Sequence, residues 1–202
     1  SRERAAALAE LEPLAAGLVF GDLASAAETR AVADQVNALG RMDAVIHNAG
    51  VYGEASRGST PEGHAVTLAV NILAPYLLTA LIARPRRLIY LSSGLHRGGE
   101  GPLDDLDWTR RRWDGGRAYA ESKLYVVALA FAVARRWSEV LSNAVDPGWV
   151  RTRMGGASAP VDIATGAATQ SWLAVSADAR VTGRYWRRLA EEAPARQAAD
   201  PA

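Results

Sequence analysis

Asp43-Ala44-Val45-Ile46-His47-Asn48-Ala49-Gly50 is the stretch on which the fold turns. Ala44, Val45 and Ile46 form the short apolar run that a strand buried on both faces requires, and the run passes straight into a small polar and glycine triplet. The pattern recurs on both sides. Upstream, residues 17–20 are apolar and close on Gly21-Asp22. Downstream, Arg87-Leu88-Ile89-Tyr90-Leu91 ends at Ser92-Ser93-Gly94, and residues 140–145 end at Asp146-Pro147-Gly148. Residues 182–186 read as a short last strand.

Helical patterns lie between these runs. Residues 2–12 are strong helix formers and Pro13 ends them. Ser25, with Glu28 three residues on, reads as a capping box for a helix that Gly40 stops. Further helices are expected at 61–83, 119–137 and 161–175, with an irregular segment over 95–116. Strands alternating with helices predict an α/β fold, a doubly wound parallel sheet covered on both faces, making three layers. Residues 1–202 read as a single domain, and the tail from about residue 193 is expected to be disordered. Ligands of such sheets bind beyond the carboxyl ends of the strands, where Asp22, Asn48, Ala49, Gly50, Ser93, Pro147 and Gly148 gather.

Composition narrows the function. The chain carries a net charge of +1 without a polybasic block, so no nucleic-acid partner is expected. It holds no cysteine, which excludes disulfides and thiolate chemistry, and the three histidines lack metal-ligand spacing. No metal site and no signal peptide are read, and a cytoplasmic location is expected. Residues 65–83 are uncharged over nearly the length of a membrane span, but Thr67, Asn71, Pro75 and Thr79 point instead to a helix buried in protein.

Tyr119-Ala120-Glu121-Ser122-Lys123 carries the chemistry. A tyrosine and a lysine four apart share one helix face, and the cation is expected to favour the phenolate and lower the tyrosine pKa. Taken alone, the pair equally describes an ordinary helix surface. Asn71 adds to it. Pro75, four residues on, has no N–H for the Asn71 carbonyl, which leaves that oxygen free to hold water.

In this order the motifs resemble the short-chain dehydrogenase/reductase family. Those that carry the resemblance are Asp22-Leu23, Asn48-Ala49-Gly50, Asn71, Ser93, Tyr119-x-x-x-Lys123 and Pro147-Gly148-Trp149-Val150-Arg151-Thr152. Ser92-Ser93-x-x-His96 and the long 95–116 segment are similar to its retinol-dehydrogenase-like branch. The resemblance implies a Rossmann-like fold and NAD(P)-dependent hydride transfer on a small-molecule carbonyl or secondary alcohol. It implies a catalytic set of Asn71, Ser93, Tyr119 and Lys123. Tyr119 would be the acid or base, Lys123 would hold the nicotinamide ribose, Ser93 the substrate oxygen, and Asn71 a relay water. Asp22, Leu23, Asn48, Ala49, Gly50, Tyr119, Lys123, Pro147, Gly148 and Thr152 would bind cofactor. His47 reads as structural, and His96 as a loop residue on the substrate side.

The family's Gly-rich phosphate turn is not among these residues, so the chain is expected to be N-terminally truncated, without the first two strands and first helix. The run at 17–20 would then either close against the strand at Val45 or leave a gap, with weak stability and weak nicotinamide affinity following. Arg2 and Arg4 incline the cofactor expectation to NADP over NAD. A homodimer or homotetramer through the two long helices is expected. A cofactor-free binding protein or inactive fragment on the same scaffold is the alternative. An epimerase of the family's extended branch fits poorly, since only about fifty residues follow Gly148.

Overall fold

The computed structural model describes residues 12–100 and 103–199. The first helix α1, Ala26–Ala38, starts at Ser25, whose hydroxyl accepts the Glu28 N–H at 3.3 Å. The capping box is only half made. Glu28 turns its carboxylate to the N–H of Asp22 at 2.7 Å, while the Ser25 N–H goes to the Asp22 carbonyl. Strand β1, Ala44–His47, follows. Helix α2 runs in three parts, Val66–Leu68 in α geometry, Ala69–Leu73 in π geometry and Ala74–Leu81 in α geometry. It begins later than expected, because residues 61–65 form a turn in which His64 bonds back to Thr60. The π turn contains Asn71 and precedes Pro75, the residue that cannot supply a helical N–H.

Strand β2, Arg87–Leu91, leads through 3₁₀ turns at Gly94–Gly98 and Leu103–Asp105 to α3, Gly115–Arg136. Asp114 caps α3 by accepting the Arg117 N–H at 3.0 Å. Gly115 is required there, since a Cβ would stand 2.3 Å from the Glu54 carbonyl oxygen. Gly115→Ala is therefore expected to cost about 1–3 kcal/mol, read as a lowered thermal midpoint. The chain continues through β3 (Leu141–Asp146), α4 (Ile163–Val175), β4 (Tyr185–Arg187), β5 (Ala190–Glu192) and the short α5 (Arg196–Ala199).

The sheet order is β1-β2-β3-β4-β5, parallel except for the final antiparallel hairpin. Alternation on β2 shows why both faces are covered. Leu88 and Tyr90 pack with Leu124, Val127 and Phe131 of α3, while Ile89 and Leu91 pack with Leu173 of α4. This is the doubly wound, Rossmann-like arrangement, with the C-terminal ends of β1, β2 and β3 along one edge.

Two expectations are corrected. Residues 17–20 make no strand. The N–H and carbonyl of Phe20 are both taken by the side-chain amide of Gln35, at 3.1 and 2.9 Å, which replaces a sheet neighbour. β1 is accordingly an edge strand among the described residues, and Ile46 is 39% exposed. Residues 193–199 of the tail, expected to be disordered, pack on the core and include the helix Arg196–Ala199. Ala198 is buried against α3, and the Ala195 N–H donates to His96 Nε2 at 3.0 Å. The β4–β5 hairpin was not legible, because Arg188 and Leu189 take positive φ angles of 49° and 62° without a glycine or asparagine to signal the turn. The helix read over residues 2–12 lies outside the described residues, apart from Glu12 in a 3₁₀ turn, Glu12–Leu14.

Candidate active site

Helix α3 puts Tyr119 and Lys123 one turn apart, both buried. Ser93, at the end of β2, lies near enough to the Tyr119 phenol to oppose the rise of its pKa, while its hydroxyl accepts the Leu95 N–H at 3.2 Å. The Lys123 ammonium lies 5.5 Å from the Tyr119 ring centroid and donates to the Leu91 carbonyl at 2.7 Å. A Cβ at Gly50 would stand 3.4 Å from both Lys123 Nζ and Asn71 Oδ1, so the loop after β1 lies against the ammonium. Asn71 joins that loop to α3. Its amide exchanges two bonds with the backbone of Val51, at 2.9 and 3.1 Å, and donates to Ser122 Oγ at 2.9 Å. Asn71, Ser93, Tyr119, Lys123 and Gly50 thus come together from four separate parts of the chain.

The others stand further out. Asn48 and Ala49 are exposed on the loop after β1. Asp22 caps its own turn, accepting the Ala24 N–H at 2.9 Å, and Leu23 packs on the Ala33–Leu78–Ile82 cluster. Neither is linked to the Tyr119 group by any contact described. Gly148 takes φ +82° after Pro147, a left-handed conformation that suits glycine, and its N–H goes to Asp146 Oδ1 at 2.8 Å. Thr152 is exposed, and its hydroxyl accepts the Gly155 N–H at 3.2 Å.

The acid–base balance differs from expectation. Burial raises the Tyr119 pKa, Ser93 opposes this, and the charge of Asp146 adds to the rise. The net direction is upward, so the expected lowering by Lys123 does not prevail over burial. Burial pulls Lys123 itself down to about 8. Between that value and about 10.4 the unfolded chain holds a proton that the folded chain lacks. The contribution of Lys123 to stability therefore rises with pH across this window. Lys123→Met removes the dependence. In urea unfolding, the difference between variant and parent is expected to move about 2 kcal/mol toward the parent from pH 7 to pH 10. An unchanged difference overturns this reading of the buried ammonium.

Four neighbours were missed in the sequence. Ser122, inside the Tyr-Lys motif but given no role there, accepts from Asn71 and donates to the Tyr119 carbonyl at 2.7 Å. Ser92 donates to the Lys123 carbonyl at 2.9 Å. Tyr52 stands edge-on to Tyr119 with ring centroids 4.6 Å apart. Asp146 was passed over as a turn former before Pro147. The two histidines are both structural in their contacts. His47 stacks on Tyr90 and contacts the Thr79 hydroxyl, and burial drives its pKa down to about 4. His96 lies in the turn after β2, as read, and is buried there. It accepts from Ala195 at Nε2, so Nδ1 carries the proton and donates to the Ser93 carbonyl at 2.7 Å. No group of three potential metal ligands occurs among the described residues, and no helix there is long and apolar enough to cross a membrane.

Comparison with known proteins agrees with this geometry. A family model described as enoyl-(acyl carrier protein) reductase matches residues 1–194. The short-chain dehydrogenase chry4 of Gibberella zeae is 38% identical over 198 residues, covering 96% of this chain and 76% of that protein. Retinol dehydrogenase 13 of Homo sapiens is 33% identical over 187 residues, covering 79% of this chain and 56% of that protein. A blue fluorescent protein from a metagenomic library, solved in complex with NADPH, shares the fold with a TM-score of 0.65 at 22% identity, covering 83% of this chain and 72% of that one. With a family match across nearly its whole length and a named short-chain dehydrogenase aligned over three quarters of the relative, this chain belongs to the short-chain dehydrogenase/reductase family of oxidoreductases.

Proposed function

We propose that the chain reduces a carbonyl group, or oxidises the corresponding secondary alcohol, with Tyr119 as the proton donor or acceptor. The observation that carries the reading is the junction of Ser93, Tyr119, Lys123 and Asn71 at the ends of β1 and β2. Ser93 stands near the phenol and so can share the substrate oxygen with it, stabilising the charge that develops there. Asn71 fixes the Val51 loop and, through Ser122, the backbone of Tyr119. That two-sided hold keeps the phenol where a small shift would cost rate.

The surroundings of Lys123 fit a nicotinamide nucleotide. An ammonium has three donors, and its bond to Leu91 uses one. Gly50 brings backbone against it without a side chain, and the Pro147-Gly148 turn and Thr152 follow β3 on the same sheet edge. Lys123 would hold the ribose hydroxyls, with Asn48, Ala49, Gly50, Pro147, Gly148 and Thr152 lining the remainder and Asp22 and Leu23 toward the adenine. When bound, the nucleotide supplies or accepts the hydride. NADP is preferred over NAD in this reading; Arg2 and Arg4, which suggested it, lie outside the described residues. Assembly through α2 and α3 as a homodimer or homotetramer belongs to the same proposal.

Calorimetric titration of the chain with NADPH and NADH, followed by assays on a panel of ketones and aldehydes, tests it. Saturable nucleotide binding with turnover supports the reductase. Because a Gly-rich phosphate turn is not among residues 1–202, a stably folded protein that binds neither nucleotide even with such a turn supplied ahead of residue 1 refutes it and leaves a cofactor-free binding protein.

A further inference from the structure

Residues 193–199 reach back to the turn that carries Ser93, and His96 is the link. Its ring is fully buried in the turn after β2. Nε2 accepts the Ala195 N–H at 3.0 Å, and Nδ1 donates to the Ser93 carbonyl at 2.7 Å. The His96 backbone N–H adds a second bond to the same carbonyl at 3.0 Å. The ring also packs on Tyr185 of β4, with centroids 4.7 Å apart. Both ends of the link are anchored. Ala198 is buried and packs, with Ala195, on the cluster that holds Leu124, Val127 and Phe131 of α3. At the other end, Ser93 Oγ accepts the Leu95 N–H at 3.2 Å, and its own O–H remains a donor.

We propose that the C-terminal segment is a strap that holds the Ser93 turn in register with α3, and that His96 is the positioning residue joining the two. The inference rests on the reductase reading only for its effect on turnover. Ser93 stands in an irregular turn beyond β2, while Tyr119 stands on α3. Apolar packing between strand and helix is non-directional, so it does not by itself fix where such a turn sits. Two directed bonds through one rigid ring do. Imidazole suits this task because its neutral form offers one donor and one acceptor, and accepting at Nε2 keeps the proton on Nδ1.

A second tie runs from this turn to β5, the ion pair of Arg97 and Glu192 at 3.3 Å. Both side chains are more than a third exposed, so water screens the pair and it contributes little. The buried His96 bonds are therefore the ones that decide where the turn sits. Removing the Ala195 bond leaves a buried acceptor without a partner and frees the turn from the tail. A displaced Ser93 costs rate, because the hydroxyl no longer meets the substrate oxygen in the productive geometry. Nucleotide affinity is spared, since Lys123 keeps its bond to Leu91 and its contact with the Gly50 loop.

The test removes that one bond. Lactic acid in place of Ala195 turns the N–H into an ester oxygen and leaves every side chain as it is. Amide hydrogen exchange is then followed by NMR at Leu95 and His96, whose N–H groups bond Ser93, with Ala144 in β3 as the control for the fold. Loss of one net hydrogen bond is expected to speed exchange about three- to tenfold at Leu95 and His96, with Ala144 unchanged. The His96 Nε2 nitrogen resonance is expected to shift at the same time. Unchanged exchange at Leu95 and His96, or acceleration that extends equally to Ala144, overturns the strap. Where the ketone assays show turnover, the same replacement is expected to lower kcat by a similar factor with nucleotide affinity unchanged. Faster exchange with an unaltered kcat overturns the positioning role. Since the exchange measurement contains no nucleotide or ketone, its failure is separate from failure of the reductase reading, which the binding and turnover assays report.

Discussion

Tyr119→Phe is expected to reduce carbonyl turnover by about a thousandfold while leaving nucleotide affinity within about twofold. The variant removes one oxygen and keeps the ring. That ring is held by its edge contact with Tyr52 at 4.6 Å and by burial in α3, neither of which needs the hydroxyl. Lys123 stays bonded to Leu91, and Asn71 keeps its bonds to Val51 and Ser122. The loss should therefore fall on kcat with KM little changed, the signature of an interaction made in the transition state. Lys123→Met should differ by weakening nucleotide binding as well. A Phe variant that retains full turnover would remove Tyr119 from the mechanism.

Arg111→Met is expected to be the most destabilising of the substitutions considered, by about 3 kcal/mol or more in urea unfolding. Arg111 reaches from the segment before α3 to both oxygens of Glu121, at 2.8 and 3.0 Å, and lies over the Trp108 ring at 3.9 Å. Trp108 Nε1 donates to the same carboxylate at 3.0 Å. Glu121 is 2% exposed, so without Arg111 it is a buried charge with one neutral donor. Arg111 also bonds Asp105 through both its side chain and its carbonyl. Glu121→Gln in the Arg111→Met background removes the buried charge while its oxygen can still accept from Trp108, so the double variant should regain part of the loss. No regain would place the effect on Asp105 instead. Since Glu121 lies between Tyr119 and Lys123, this network also anchors the irregular segment to the helix that carries the site.

Much of this was legible from local pattern. β2 has the bounds that its apolar run predicts, and Ser25 caps α1 as read, because strand periodicity and helix caps depend on neighbouring residues. The catalytic candidates were legible as an ordered set on strand ends and one helix face. What was missed depends on contacts distant in sequence. The role of Gln35 as the partner of Phe20, the docking of Ala198 and the buried setting of His96 all involve residues that no local pattern links. The Arg188-Leu189 turn uses residue types that do not announce it.

The sequence by itself determined the alternation of strands and helices and the sheet edge where small and polar residues gather, which follow from periodicity and side-chain type; Tyr119, Lys123, Ser93 and Asn71 entered as candidates through the family resemblance. Only the tertiary structure decided the electrostatics. Whether Lys123 lowers the Tyr119 pKa depends on how deeply the phenol is buried, and burial raises it. Whether Asp146 only holds its turn or also meets Arg187 depends on β3 and β4 pairing, since Coulomb energy is set by distance and burial rather than by order along the chain.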